Sequence, residues 1–188
     1  MDRLFVRGTT VDAARRFMER HKGTPRWDSF IDRLEPAHRA LIDQPVVRRR
    51  WYDLELYSSA VELAARELSP EDQTRFCSDL GRFVMDDGVN SLYRAFFAIT
   101  TPSFVIKGSA LLWGMFFKGS RLRVLRRGRK WVEPAIQGAA RCWEPLCISI
   151  SGGMSSALEH AGARNLRLTH HHCQSRGGSS CEFRFEWD

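Results

Sequence analysis

The segment Cys181-Glu182-Phe183-Arg184-Phe185-Glu186-Trp187 alternates without a fault. Cys181, Phe183, Phe185 and Trp187 fall on one side, and Glu182, Arg184 and Glu186 on the other. That is the pattern of a strand with one face in a core and one in water. A chain carrying it must build a sheet and must cover one side of it. The same period of two marks Arg121-Leu122-Arg123-Val124, after which Arg127-Gly128-Arg129-Lys130 reads as a turn and Trp131 opens the return strand. Residues 151–161 predict a helix with Met154, Ala157 and Leu158 inward, stopped by Gly162. Residues 165–169 predict a strand, and 175–179 a turn.

Upstream of residue 118 the texture is helical. Val11, Ala14, Phe17 and Met18 share one face of a helix that reaches His21 and stops at Gly23. Trp27, Phe30, Ile31 and Leu34 mark a second, Pro36 opens a short third, and 51–68 reads as a fourth. Ser69-Pro70-Glu71-Asp72 has the composition of a helix start, with a capping Ser, a Pro and acids. A further helix begins or bends at Asp87 or Asn90 and runs through Leu92, Tyr93, Phe96 and Phe97 to Pro102. Residues 104–117 are apolar nearly all round, which predicts a helix central to the domain. The expectation is an α+β fold in a single domain, 1–188: a helical portion, 1–117, packed on an antiparallel sheet portion, 118–188. A chain of 188 residues is long enough to bury a substantial core.

Charge narrows the function classes. Of 29 Lys and Arg, seven lie between Lys118 and Lys130 with no acid among them, and the remainder balances at 22 bases and 22 acids. The surplus is a local patch, with Arg126, Arg127, Arg129 and Lys130 at its turn. Such a patch protects a sheet edge or meets an acidic protein, lipid or nucleic-acid surface. Nucleic acid is the weakest of these, because no recognised binding motif accompanies the charge. No apolar run reaches 18 residues, and Met1-Asp2-Arg3-Leu4-Phe5 lacks a hydrophobic leader, so the reading is cytoplasmic and not membrane-spanning.

Five cysteines in such a compartment favour free thiols or metal ligation over disulfides. Cys147, Cys173 and Cys181, with one of His170, His171 and His172, make a Cys3His set suited to zinc. On a regular strand His171 shares a face with Cys173. His170 joins only if the strand bulges before Cys173, so both stay open. Three thiolates without a nearby carboxylate base point to a structural ion, not a catalytic one. The glycine pairs make neither a P-loop nor a dinucleotide fingerprint, and no G-x-S-x-G occurs, so no enzyme is expected. Trp113, Phe116, Phe117 and Trp131, with Trp143, stand at the helix-to-sheet transition and are candidates to line an apolar ligand pocket.

The run Cys147-Ile148-Ser149-Ile150-Ser151-Gly152-Gly153, followed by Cys173-Gln174-Ser175-Arg176-Gly177-Gly178-Ser179-Ser180-Cys181-Glu182-Phe183, resembles the 4-vinyl-reductase domain family, which includes sensor domains of aromatic-responsive activators. In that pattern His170 stands where the family usually has Glu. Upstream, Phe17, Gly23, Trp27, Trp51-Tyr52, Leu80-Gly81-Arg82, Leu92-Tyr93-Arg94, Thr101-Pro102 and Leu112-Trp113 resemble an uncharacterised domain family best known from myxobacteria. The resemblance implies the ligand-binding fold shared by haem-nitric-oxide-binding domains and TRAPP subunits. It implies zinc at Cys147, His170, Cys173 and Cys181. Haem is not expected, since Tyr57-Ser58-Ser59-Ala60-Val61 does not supply the relatives' Tyr-x-Ser-x-Arg signature and no convincing proximal His exists. The polar residues that hold a phenol in the aromatic sensors cannot be placed here. The resulting expectation is a non-enzymatic sensor or adaptor that signals by protein contact, with dimerisation. The alternative is a metal-free module docking through the basic patch.

Overall fold

Two antiparallel sheets and seven α-helices occupy the residues that the computed structural model describes, 3–89, 100–138 and 144–188. The small sheet joins β1 (Phe5–Arg7), β2 (Trp51–Asp53) and β3 (Phe117–Lys118) in the order β2-β1-β3. The larger sheet orders β4 (Arg121–Arg127), β5 (Trp131–Gln137), β7 (Cys181–Glu186) and β6 (Arg167–His172) as β4-β5-β7-β6. The helices are α1 (Gly8–Met18), α2 (Pro25–Arg33), α3 (Pro36–Ile42), α4 (Leu54–Leu68), α5 (Gln73–Val89), α6 (Pro102–Phe116) and α7 (Glu144–His160). The α+β class read from the sequence holds.

Local chemistry explains where the boundaries moved. Trp51 to Asp53 is a strand, not the first turn of α4, because Asp53 caps that helix, its carboxylate accepting the Glu55 and Leu56 N–H groups. Ser69 and Pro70 fall in the connection before α5. Asp72 is the acceptor at its start, taking the Arg75 N–H at 2.9 Å. α5 runs unbroken past Asp87 to Val89, and the helix expected through Leu92 and Phe97 lies outside the described residues. Pro102 opens α6 as its first residue, the position where a missing N–H costs nothing.

α6 corrects the expectation of a central helix. Val105, Ile106 and Trp113 are buried on its inner face, but Leu111 is 77% exposed. Its apolar composition exceeds what one covered face can use.

α5 and α7 carry the closest packing. A Cβ at Gly81 of α5 would overlap the Ser149 carbonyl oxygen of α7, and one at Gly152 would overlap the Ser78 carbonyl oxygen of α5. Small residues at this crossing let two backbones touch. Arg82–Glu159 and Asp86 with Ser156 and His160 tie the same pair of helices at its polar edge.

The sheet's polar face holds a buried carboxylate. Glu133 accepts from Arg184 and Arg126, each at 2.6 Å. The Arg184 guanidinium, then Arg126, holds its carboxyl below the ordinary 4.5. A folded pKa below the unfolded one gives stability that is present above pH 4.5 and lost as pH falls through the folded value. Glu133→Gln is expected to lower stability at neutral pH by about 1 kcal/mol and to flatten the acid limb of a Tm-against-pH curve. An unchanged acid limb would contradict the pairing.

Candidate metal centre and cavity

Cys147 lies in the first turns of α7, not ahead of it, because the helix starts at Glu144. Cys173 follows β6 and Cys181 opens β7. Between them a 3-10 turn, Gln174–Arg176, folds back through Gly177 at φ 85, and the Gly178 N–H reaches the Cys173 carbonyl at 2.9 Å. Only glycine holds that left-handed φ without strain. The turn brings the thiols together. Cys147 and Cys181 Sγ are 3.4 Å apart, Cys147 and Cys173 3.7 Å, and Cys173 and Cys181 3.9 Å. All three residues are buried, and none forms a disulfide. Three sulfurs at ~2.3 Å from a tetrahedral zinc stand about 3.8 Å from one another, so the spacing already suits the ion.

The Cys181 thiol is held well below its ordinary pKa of 9, first by the Cys147 thiol and then by His170, the Gln174 N–H and Cys173. A preformed thiolate is the ligand form zinc needs.

The backbone places His170 and His171 differently. β6 pairs with β7 at His170↔Phe183 and His172↔Glu182, and the register shifts between them. This is the bulge that the His170 option required. His171 and His172 are exposed. His170 stacks on Phe183, with centroids 4.4 Å apart, and its Nε2 is buried without a hydrogen-bond partner. Its imidazole lies outside the 4.8 Å set of the three thiols, so coordination requires the ring to move toward them.

A cavity of about 160 Å³ lies between α5, α6, α7 and the inner face of the large sheet. Trp113, Phe116 and Phe117 line it as read from the sequence; Trp113 stacks on Phe117 at 4.3 Å and donates to the Ser120 hydroxyl. Trp131 is not in the wall. It stands on the other side of the sheet beneath the Arg184 guanidinium, at 4.5 Å. Its strand position explains this: Val132 and Pro134, which alternate to the opposite face, take the wall. Trp143 lies outside the described residues. The sequence reading missed Thr10, Tyr57, Met85 and Gly153, which line the cavity from four other helices; no periodicity marks a residue as facing a void.

The basic hairpin is an edge of the large sheet as ordered here, with Arg127, Arg129 and Lys130 exposed. Arg126 is spent on Glu133, which the acid-free run of sequence did not reveal. No described helix is long and apolar enough to cross a membrane.

No protein-family model matches this chain, and no curated protein matches it. Solved structures do. An H-NOX protein from S. oneidensis in the Fe(II)NO ligation state superposes at TM-score 0.72 with 14% identity, over 97% of this chain and 99% of that one. An Fe(II) unliganded H-NOX protein from K. algicida gives 0.67 at 12%, over 97% and 96%. An oxygen-binding H-NOX domain related to soluble guanylate cyclases, in its oxygen complex, gives 0.65 at 12%, over 97% and 95%. The chain has the fold of the H-NOX domains.

That likeness overturns the sequence-based exclusion of haem. The exclusion rested on a missing signature, yet the chain is built like structures in Fe(II) ligation states and like one that probes heme distortion in the H-NOX family. A missing motif is a weak guide at this identity. The described wall, taken by itself, offers iron the Tyr57 hydroxyl and the Met85 and Met154 thioethers. Burial pushes Tyr57 up, which keeps it protonated. All six histidines are described and none lines the cavity, and no Lys or Arg among the described residues lines it to pair with propionates. These wall residues do not by themselves complete a haem site.

Proposed function

We propose that this chain is a ligand-sensing domain. A small guest occupies the cavity, zinc held by Cys147, Cys173, Cys181 and His170 fastens α7 to the sheet, and the output is contact with another protein or a second copy of the chain. One observation carries the reading: two of the three thiols and the cavity wall share the same two elements. α7 bears Cys147 and also Leu146, Ser149 and Gly153 of the wall, while β7 bears Cys181 and also Phe185. A guest that displaces α7 acts directly on the segment the thiols anchor. The 4-vinyl-reductase resemblance, which joins a cysteine centre to an aromatic-responsive sensor, supports the same reading.

The test fills the void. Ala157 is a buried wall residue, and Ala157→Leu places a side chain in the space. In the native protein toluene is expected to raise Tm by a few degrees at saturation; in Ala157→Leu the rise is expected to vanish while the variant stays folded. A native protein indifferent to toluene, or a variant that responds equally, would remove the cavity from the account. Haem is the occupant that the fold of the neighbours brings forward, and its titration is the companion measurement: a tight one-to-one complex with a sharp Soret band would assign the cavity to haem.

A further inference from the structure

We infer that the outer side of α6 and the outer face of the small sheet form one surface that docks on an anionic lipid bilayer. The inference goes beyond the guest and the zinc and depends on neither.

The apolar part comes from α6. Leu111 is 77% exposed, and Phe104 and Met115 on the same helix are 52% and 41% exposed. With Gly108 they follow the i, i+4, i+7, i+11 spacing of one helical stripe. A Cβ at Gly108 would meet nothing within 4 Å, so the stripe is open at its middle. The opposite side of the helix, with Val105, Ile106 and Trp113, is the buried one.

The charge comes from the same stretch of chain. From Pro102 to Val132 there are eight Lys and Arg and no Asp or Glu. Lys107 borders the stripe, and the helix runs straight into β3, which ends at Lys118. Arg121 and Arg123 of β4 are exposed, as is Leu125 after them. The small sheet adds Arg7. Its register sets Arg7 opposite Trp51 and Phe5 opposite both Lys118 and Asp53, so these residues share the outer face. Both cations lie over the Trp51 indole, the Arg7 guanidinium at 4.9 Å and the Lys118 ammonium at 4.3 Å. The acid on that face, Asp53, has its carboxylate turned to the Glu55 and Leu56 N–H groups of α4. Unlike Arg126, none of Arg7, Lys107, Lys118, Arg121 and Arg123 is ion-paired among the described residues.

This combination selects the occupant. Exposed apolar side chains bordered by Lys and Arg, with an indole among the cations, match the boundary between charged headgroups and acyl chains. A nucleic acid would satisfy the charges and leave Leu111 in water. A second copy, meeting this surface about a two-fold axis, would set unpaired cations against cations.

The test is co-sedimentation of the full chain with vesicles of phosphatidylcholine, alone or mixed with phosphatidylglycerol. Binding is expected to the mixed vesicles only, and to weaken steeply as salt rises. Leu111→Gln is expected to weaken it roughly tenfold, and Lys118→Gln and Arg121→Gln roughly fivefold each. Leu168→Gln is the contrast. Leu168 is also exposed, but β6 is the edge of the large sheet opposite to β4, so its variant should bind as the native protein does. All four positions are exposed, so the variants are expected to keep the fold, which thermal melts check. No binding to the mixed vesicles, or equal binding to neutral ones, overturns the proposal. Native affinity in Leu111→Gln removes α6 from the contact and overturns it as stated. A loss in Leu168→Gln as large as in Leu111→Gln overturns the location. Capture of polyglutamate or of an oligonucleotide without vesicle binding overturns the lipid assignment and gives the charges another partner.

Discussion

Protein purified without chelator is expected to contain about one zinc per chain, and Cys173→Ser combined with Cys181→Ser is expected to contain none. The double variant should lose about 4 kcal/mol or more of stability at ordinary zinc levels, a drop in Tm of about 10 °C for a chain of this length. The magnitude follows from linkage: an ion that binds the folded thiols and not the unfolded chain stabilises by its binding free energy. The geometry gives the claim its content. Three buried sulfurs already stand 3.4–3.9 Å apart, and Cys181 is biased toward thiolate before any metal arrives. Metal analysis together with thermal melts measures both halves. Zinc-free native protein, with the double variant as stable as the native, would make the thiols ordinary core residues. His170→Ala separates the fourth ligand: retained zinc with weaker affinity supports coordination by the imidazole, and unchanged affinity assigns His170 to packing on Phe183.

Gly81→Ala is expected to produce the second large effect. The added methyl has no flexible neighbour to push aside, because what it meets is the Ser149 backbone of α7. The two helices must separate or the backbone must shift, at a cost of about 3 kcal/mol. Chemical denaturation measures it. The same movement opens the cavity, since Gly81, Ser149 and Gly153 all line it. Gly162→Ala serves as a contrast: a Cβ there meets nothing, so any loss comes from its φ of 97 alone and leaves the cavity untouched. A neutral Gly81→Ala would contradict the close crossing.

The sequence disclosed what period and turn chemistry encode. β7 was legible residue by residue, because its three inward positions are apolar and its three outward ones charged. The thiol cluster was legible because two cysteines flank a glycine turn and a third lies at a helix start. His170 was legible only as a condition on a bulge, a backbone event that no residue in His170-His171-His172 announces. The small sheet was invisible: strands of two or three residues, β1 to β3, are too short to show a period. α6 misled for a physical reason. All-round apolarity signals burial on both sides, but in this fold the sheet and α7 cover one side, and Leu111 faces outward. The cavity was half legible. Aromatic residues near the helix-to-sheet transition pointed to it. Which of them face the void depends on strand facing, and that excluded Trp131 and admitted Thr10 from the far end of the chain.

Xenon tests the cavity most directly, because it enters apolar voids without needing a polar partner. In methyl NMR of the zinc-loaded protein under xenon, the Ile106, Leu122, Val132 and Leu158 signals of the wall are expected to shift together and saturate, while exposed Leu111 and Leu168 stay in place. Shifts confined to the exposed methyls, or none at all, would contradict a guest site in this fold.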